Sequence, residues 1–377
     1  MPNQYQPFNL STDVITTKTL LHEALPVTGT IYKFGTGSYI EENIKNFSHG
    51  QFQSVYDYPY LSSSANHIFD LTVGYDESSV LSSSATVQNS KKINMYNSMA
   101  QVLLGYSRGT NAVNEFVEIF ESDLNVSDNT NQMREVFFIN FSRLLTKDQI
   151  KKGSFSITLA TGSWVDATTA GQVVTLSDVS ASANSEYASA LGGDYGILYA
   201  PDGATATELG TAAVGNIFYQ AGIAVITSSL FQAAQVAGAA FQDHPEGASQ
   251  DFSRQRGDLG ESCKSLLGVM TGSSISGACN ALRHRITNIA FNNTTEINSN
   301  IFFCRVPWNK FNYSTNPTYV SGGAIVLKNV ASDIPISYVS TIGMYSAAGE
   351  LLATAKLSEP LRKDPTNELT LRVRLDY

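Results

Sequence analysis

The chain has 377 residues, 42% of them hydrophobic, enough for a substantial core in one large β domain or roughly two to three modules. Only 15% are charged, against about 25% in a typical soluble domain, and Ser, Thr, Asn and Gly fill the gap, which suits a surface packed against neighbours. The formal net charge of −9 argues against a sequence-independent grip on nucleic acid, and the basic clusters Lys91-Lys92, Lys151-Lys152, Arg283-His284-Arg285 and Arg362-Lys363 are scattered along the chain.

The start, Met1-Pro-Asn-Gln-Tyr-Gln-Pro-Phe8, lacks the basic and apolar regions of a secretory leader, and residues 1–27 read as an N-terminal arm. Up to about residue 90 the sequence is polar and aromatic, with turn clusters Gly35-Thr36-Gly37, Ser62–Ser64 and Ser82–Ser84 between short runs such as Thr30–Phe34 and Ile68–Val73. Short strands, or extended arms lying on a partner, both produce this pattern. From Lys92 to Tyr106 the positions Ile93, Tyr96, Met99, Ala100, Leu103 and Leu104 recur at helical spacing, and Gly105 supplies a stop.

Glu135–Arg143 and Ser154–Leu159 read as two strands. Val136 and Phe138 lie on one face of the first and Phe137, Ile139 and Phe141 on the other, while Phe155, Ile157 and Leu159 alternate with Ser156 and Thr158 in the second. Residues 160–214 are rich in Ala, Ser, Thr and Gly, with weak strands near Gln172–Leu176 and Gly196–Tyr199; the scarcity of large side chains predicts a surface insertion. Strand character returns over Gly215–Thr227.

Beyond Thr227 the period becomes helical. Ser228 or Ser229 caps a predicted helix with Leu230, Ala233, Ala234, Ala237 and Phe241 on one face, and Leu259–Met270 and Ile275–Ile286 are two more candidates. Gly222–Phe241 has the length of a membrane span, but Ser228, Ser229, Gln232 and Gln235 and its alanine content read as a strand end and a soluble helix, with no membrane partner. At the C-terminus, Tyr338–Tyr345 and Leu351–Leu357 flank Ser346–Glu350 as a hairpin, and Leu369, Leu371, Val373 and Leu375 alternate with polar residues as a half-buried final strand. The expected architecture is mainly β: a sandwich-like antiparallel core from residues 28–227 and 286–377, with a helical segment, 228–285, inserted.

No P-loop, dinucleotide fingerprint, nucleophile elbow or paired-histidine metal motif is present in the sequence. Gly272–Gly277 has the wrong spacing for a hydrolase elbow and reads as a turn. His49 and His67 with Asp57, Asp70, Asp76 and Glu77 form an acidic neighbourhood of the type a glycosidase needs, but such residues are also common in polar β loops. Arg256-Gly257-Asp258 lies in a charged linker. Cys263, Cys279 and Cys304 are too widely spaced for a disulfide framework or a structural zinc site, so no metal or other cofactor is expected. The two tryptophans and the 18 tyrosines suit interface anchors better than a sugar-binding surface, and the candidates are Tyr58, Tyr60, Trp164, Trp308, Phe311 and Tyr313.

Three segments carry a resemblance: Phe141–Ser156, Gly215–Thr227, and Thr341-Ile342-Gly343-Met344-Tyr345 with Leu351–Pro360. Together, over roughly a third of the chain, they resemble virion structural proteins of large contractile-tailed phages, especially those of cyanobacteria and other marine bacteria. The resemblance implies a non-enzymatic tail subunit, in the baseplate or its wedge, made in the host cytoplasm and assembled with other virion proteins and copies of itself. A neck, head-decoration or fibre-attachment protein is the alternative within that class, and a receptor-binding or glycan-cleaving tail protein the alternative outside it.

Overall fold

The computed structural model describes residues 5–31, 42–82, 86–108, 115–125, 130–160, 173–183, 185–200, 212–231, 270, 274–314, 320–321, 324–325, 332 and 334–377. Among the described residues the protein is mainly β, with 49% strand, 17% helix and a large antiparallel sheet. It divides into two compact units, the larger His22–Thr295 and the smaller Met1–Leu21 with Glu296–Tyr377.

Strand β1 (Val14–Pro26) and β15 (Ile286–Val306) contribute residues to both units. The larger unit contains β2 (Ile44–Asn46), β3 (Gln53–Tyr56), β4 (His67–Tyr75), helix α1 (Val87–Leu103), the paired β5 (Tyr106–Arg108) and β6 (Glu115–Val117), and β7 (Glu135–Phe141). These are followed by α2 (Arg143–Thr146), β8 (Gln149–Ile150), β9 (Ser156–Ala160), β10 (Val173–Ser177), α3 (Val179–Ala183), β11 (Tyr187–Ala190), β12 (Gly193–Ala200), β13 (Ala212–Phe218), β14 (Ile223–Thr227) and α4 (Ile275–Arg285). The sheet runs β15-β9-β10-β12-β13-β14-β7-β4-β3-β2.

The central strands β7 and β14 are apolar on both faces because both faces are covered, whereas β4 is apolar on one face, Phe69, Leu71, Val73 and Tyr75, and carries Asp70 and Thr72 on the other. On β7, Phe137, Ile139 and Phe141 enter one core together with Ile275, Ala278, Cys279 and Leu282 of α4. Val136 and Phe138 enter a second core with Tyr96, Ala100 and Leu103 of α1. Phe141 meets the rings of Phe155 at 5.8 Å and Phe291 at 5.2 Å, although β7 and β15 are far apart along the sheet, so the sheet bends round the first core.

Helix α1 begins before its predicted start because the Thr86 side chain accepts from the Asn89 N–H and caps a first turn, Val87-Gln88-Asn89-Ser90, whose one apolar side chain is exposed and gives no helical period. It ends as predicted, with Gly105 at φ +97° donating to the Ala100 carbonyl. The helix lies directly on β4: a Cβ on Gly74 would stand 2.8 Å from both the Lys92 carbonyl oxygen and the Tyr96 nitrogen. In the second core, Tyr96 packs edge-on against Phe120, its hydroxyl donates to the Met133 carbonyl, and it accepts from the Phe120 N–H.

The predicted surface insertion, 160–214, is corrected where it is described: β10 and β12 are interior strands of the sheet, with Val174, Leu176, Leu198 and Ala200 in the first core. Small residues did not prevent this, because a central strand shares a core built largely by its neighbours. Asp178 holds the region together, accepting from the Gly153 and Phe155 N–H groups at 2.8 Å and from the Tyr219 hydroxyl at 3.0 Å. Burial nevertheless pushes its pKa up to about 6, with those three donors acting in the opposite direction. The expected helix after Ser229, most of Leu259–Met270, and Arg256–Asp258 lie outside the described residues, whereas Ile275–Arg285 is a helix capped by Ser274.

The smaller unit has fewer strands. The second half of β15 pairs with β20 (Leu369–Asp376), from Ser299 opposite Asp376 to Val306 opposite Leu369. Two short strands, β16 (Val320–Ser321) and β17 (Ala324–Ile325), pair with each other, and β18 (Ser337–Tyr345) with β19 (Leu351–Lys363) forms the expected hairpin as a separate two-stranded ribbon. Gly349, at φ +85°, makes the turn.

Candidate assembly surface

In the smaller unit, residues Tyr5 to Phe8 are held by aromatic contacts. Tyr5 lies 5.0 Å from Tyr345 and Phe8 5.4 Å from Phe302, ring centre to ring centre, and Lys310 donates to the Gln6 side-chain oxygen at 2.9 Å. A turn from Asn9 to Asp13 follows, and Asp13 pairs with Arg305 at 2.7 Å. The Asn9 backbone hydrogen bond leads the interactions that hold the Asp13 carboxyl below its ordinary value.

After β15 the chain turns at Pro307, and Phe311 adopts φ +58°, a left-handed conformation uncommon outside glycine. The Phe311 carbonyl accepts from Ser337 at 2.5 Å. Lys363 is wholly buried beneath this loop and uses all three of its donors: the Trp308 carbonyl at 3.2 Å, the Asn312 side-chain oxygen at 2.6 Å and the Asp364 carbonyl at 2.7 Å. Burial lowers the Lys363 pKa, opposed by the charges of Asp364 and Glu368. The lysine therefore latches the loop from inside, and Trp308, 57% exposed, and Tyr313 stand outward from it.

The ribbon has unlike faces. Ile342, Met344, Ala353 and Ala355 are half-buried or buried, and register pairs Ile342 with Ala355 and Met344 with Ala353. On the other face Thr341, Leu352, Thr354 and Lys356 are exposed, and Tyr345 lies across Gly343. An open groove of about 1150 Å³, lined by Tyr5–Phe8, Cys304–Val306, Phe311, Tyr313 and β18, runs through this unit. The smaller unit holds under a third of the chain but more than half of the exposed large hydrophobic side chains among the described residues, including Tyr338, Leu351, Leu352 and Tyr377.

Of the predicted anchors, Trp308, Phe311 and Tyr313 are thus brought together on one latched loop. Tyr58 and Tyr60 are exposed in the larger unit between β3 and β4, with Tyr60 6.3 Å from Tyr56, and Trp164 lies outside the described residues. Sequence reading missed the Lys363 latch, which has no local signature. It also missed the Tyr345 ring over Gly343, for which glycine two residues before tyrosine on a strand was an available signal.

The acidic neighbourhood resolves into separate networks. Asp70 accepts from Ser54 at 2.5 Å and lies 2.8 Å from His67 Nε2; Asp57 accepts from the Tyr58 N–H and from both the backbone and side chain of Asn66; Asp76 lies 3.3 Å from Arg134. Cys279 is buried, its thiol donating to the Leu71 carbonyl, and Cys304 is half-buried. Lys92, Arg283 and Arg285 of the basic clusters are also buried. Among the described residues no group of three His, Cys, Asp or Glu side chains could hold a metal ion, and no helix is long and apolar enough to cross a membrane.

Comparison of the chain with protein-family models, curated proteins and solved structures found no match.

Proposed function

We propose that this chain is a structural subunit of a contractile phage tail, in the baseplate or its wedge, acting through symmetric assembly with copies of itself and with other virion proteins. The observation that carries the reading is the exposed two-stranded ribbon of the smaller unit. An isolated pair of strands is marginal in water, and this one exposes Tyr338, Tyr345, Leu351 and Leu352. Neighbouring subunits that cover those side chains would supply both the missing burial and the contact. In this reading the bent, doubly covered sheet of the larger unit is a sandwich-like body, and the latched Trp308 loop and the ribbon are its attachment points. The segments that resemble virion proteins include Leu351–Pro360 of that same ribbon.

Antibody-gold electron microscopy on phage particles carrying this chain tests the proposal. Label at the distal end of the tail is expected. Label at the neck or capsid would move the chain to the alternative virion roles, and absence of label, with a control epitope accessible, would overturn the structural reading.

A further inference from the structure

Lys363, the last residue of β19, and Asn312, in the loop after β15, meet inside the smaller unit. The Lys363 nitrogen lies 2.6 Å from the Asn312 side-chain oxygen, and both residues are buried. The other two acceptors of Lys363, the Trp308 and Asp364 carbonyls, are neutral as well. The adjacent carboxylate, that of Asp364, is taken up by Thr366 and Arg362 instead. An ammonium buried among neutral oxygens is poorly compensated, and its burial favours the uncharged amine, although the Asp364 and Glu368 charges act the other way. As an amine, lysine is a nucleophile.

The Trp308 carbonyl oxygen accepts from both nitrogens of the pair, from Lys363 at 3.2 Å and from the Asn312 amide at 2.8 Å. One acceptor thus holds the two nitrogens side by side, and the carbon between them is bonded to the oxygen that Lys363 already touches. Positioning of this kind replaces a bimolecular encounter with an intramolecular one.

We infer that Lys363 and Asn312 join in an intramolecular isopeptide bond, the lysine nitrogen displacing the Asn312 side-chain nitrogen as ammonia. The ammonium first gives a proton to solvent, and the amine lone pair then attacks Asn312 Cγ, moving the carbonyl π electrons onto Oδ1. A proton passes from the attacking nitrogen to Nδ2 beside the Trp308 oxygen. The Cγ=Oδ1 double bond re-forms, the Cγ–Nδ2 bond breaks, and the departing ammonia takes up a proton in water. Amine and amide in give amide and ammonia out, with no change of oxidation state. The product replaces a buried charge with a neutral amide, which lowers the cost of burial. The bond turns the polar latch on the Trp308 loop into a covalent one, lies within the smaller unit, and requires no partner chain.

Intact-mass spectrometry of the full chain, held at about pH 9 to raise the amine fraction, tests the bond. The mass should fall below that of the sequence by one ammonia, and protease digestion should release a branched peptide joining Asn312 to Lys363. Lys363→Arg, which keeps the charge but does not attack, and Asn312→Ala, which removes the acyl group, should both keep their full masses. The branched peptide of the wild-type chain decides the matter whether or not either variant folds. Conversion should quicken about tenfold per pH unit while Lys363 is mainly protonated. A wild-type chain at full mass after incubation, ammonia loss traced to a linear peptide with a succinimide at Asn312, the same loss in Lys363→Arg, or a rate indifferent to pH would overturn the inference.

Discussion

The two units solve opposite problems with similar strands. In the larger one, β7 is apolar on successive residues and is covered on both faces; in the smaller one, the ribbon alternates apolar with polar residues and keeps large side chains in water. One unit derives its stability from its own core, and the other relies on a few polar latches and leaves apolar area available. The difference indicates where substitutions should cost folding and where they should cost association.

The largest expected contrast comes from truncating aromatics. Phe141→Ala should remove about 3–5 kcal/mol of stability in urea denaturation, because its ring is buried among Phe69, Phe155 and Phe291. Leu352→Ala, on the exposed ribbon, should stay within about 0.5 kcal/mol of the parent; an equal loss at both sites would erase the contrast. Gly74→Ala should cost about 1–3 kcal/mol, since the added methyl meets α1 backbone atoms that cannot move aside singly.

Asp178 sharpens the comparison through pH. Its folded pKa, about 6, lies above the ordinary 3.8, so the folded state holds a proton that the unfolded state has released. Its contribution to stability is therefore fully present below about pH 4 and declines as pH rises toward 6. Urea midpoints of wild type should show that decline superimposed on the other groups, and Asp178→Asn should lack this component while being less stable near neutrality, because an amide nitrogen would face one of the three donors.

The most local effect should come from Lys363→Met. It strands the Trp308 carbonyl and the Asn312 side-chain oxygen, at about 1–3 kcal/mol, and the loss should be confined to faster amide exchange over Pro307–Ser314. Unchanged exchange there would show that the lysine does not hold the loop.

Strand type and the C-terminal hairpin were legible in the sequence, because alternation over Tyr338–Tyr345 and Leu369–Leu375 and the glycine in Ser346–Glu350 are local signals. Three of the proposed anchors fell on one loop for a different reason: Trp308, Phe311 and Tyr313 are sequence neighbours. The interior strands β10 and β12 were not legible, since their burial comes from flanking strands rather than from their own small side chains. Nor was the latch, whose lysine lies more than 50 residues from Trp308 in sequence.

By itself the sequence determined a mainly β chain, the two-faced pattern of β7, the stop of α1 at Gly105 and the closing hairpin, all products of side-chain period and backbone preference over a few residues. Only the tertiary structure decided that the sheet bends to bring Phe141 onto Phe291, that Lys363 is spent inside the smaller unit, and that Leu351 and Leu352 remain in water. Those outcomes depend on contacts between residues far apart in the chain, where burial is set by what folds against a side chain and not by the side chain alone.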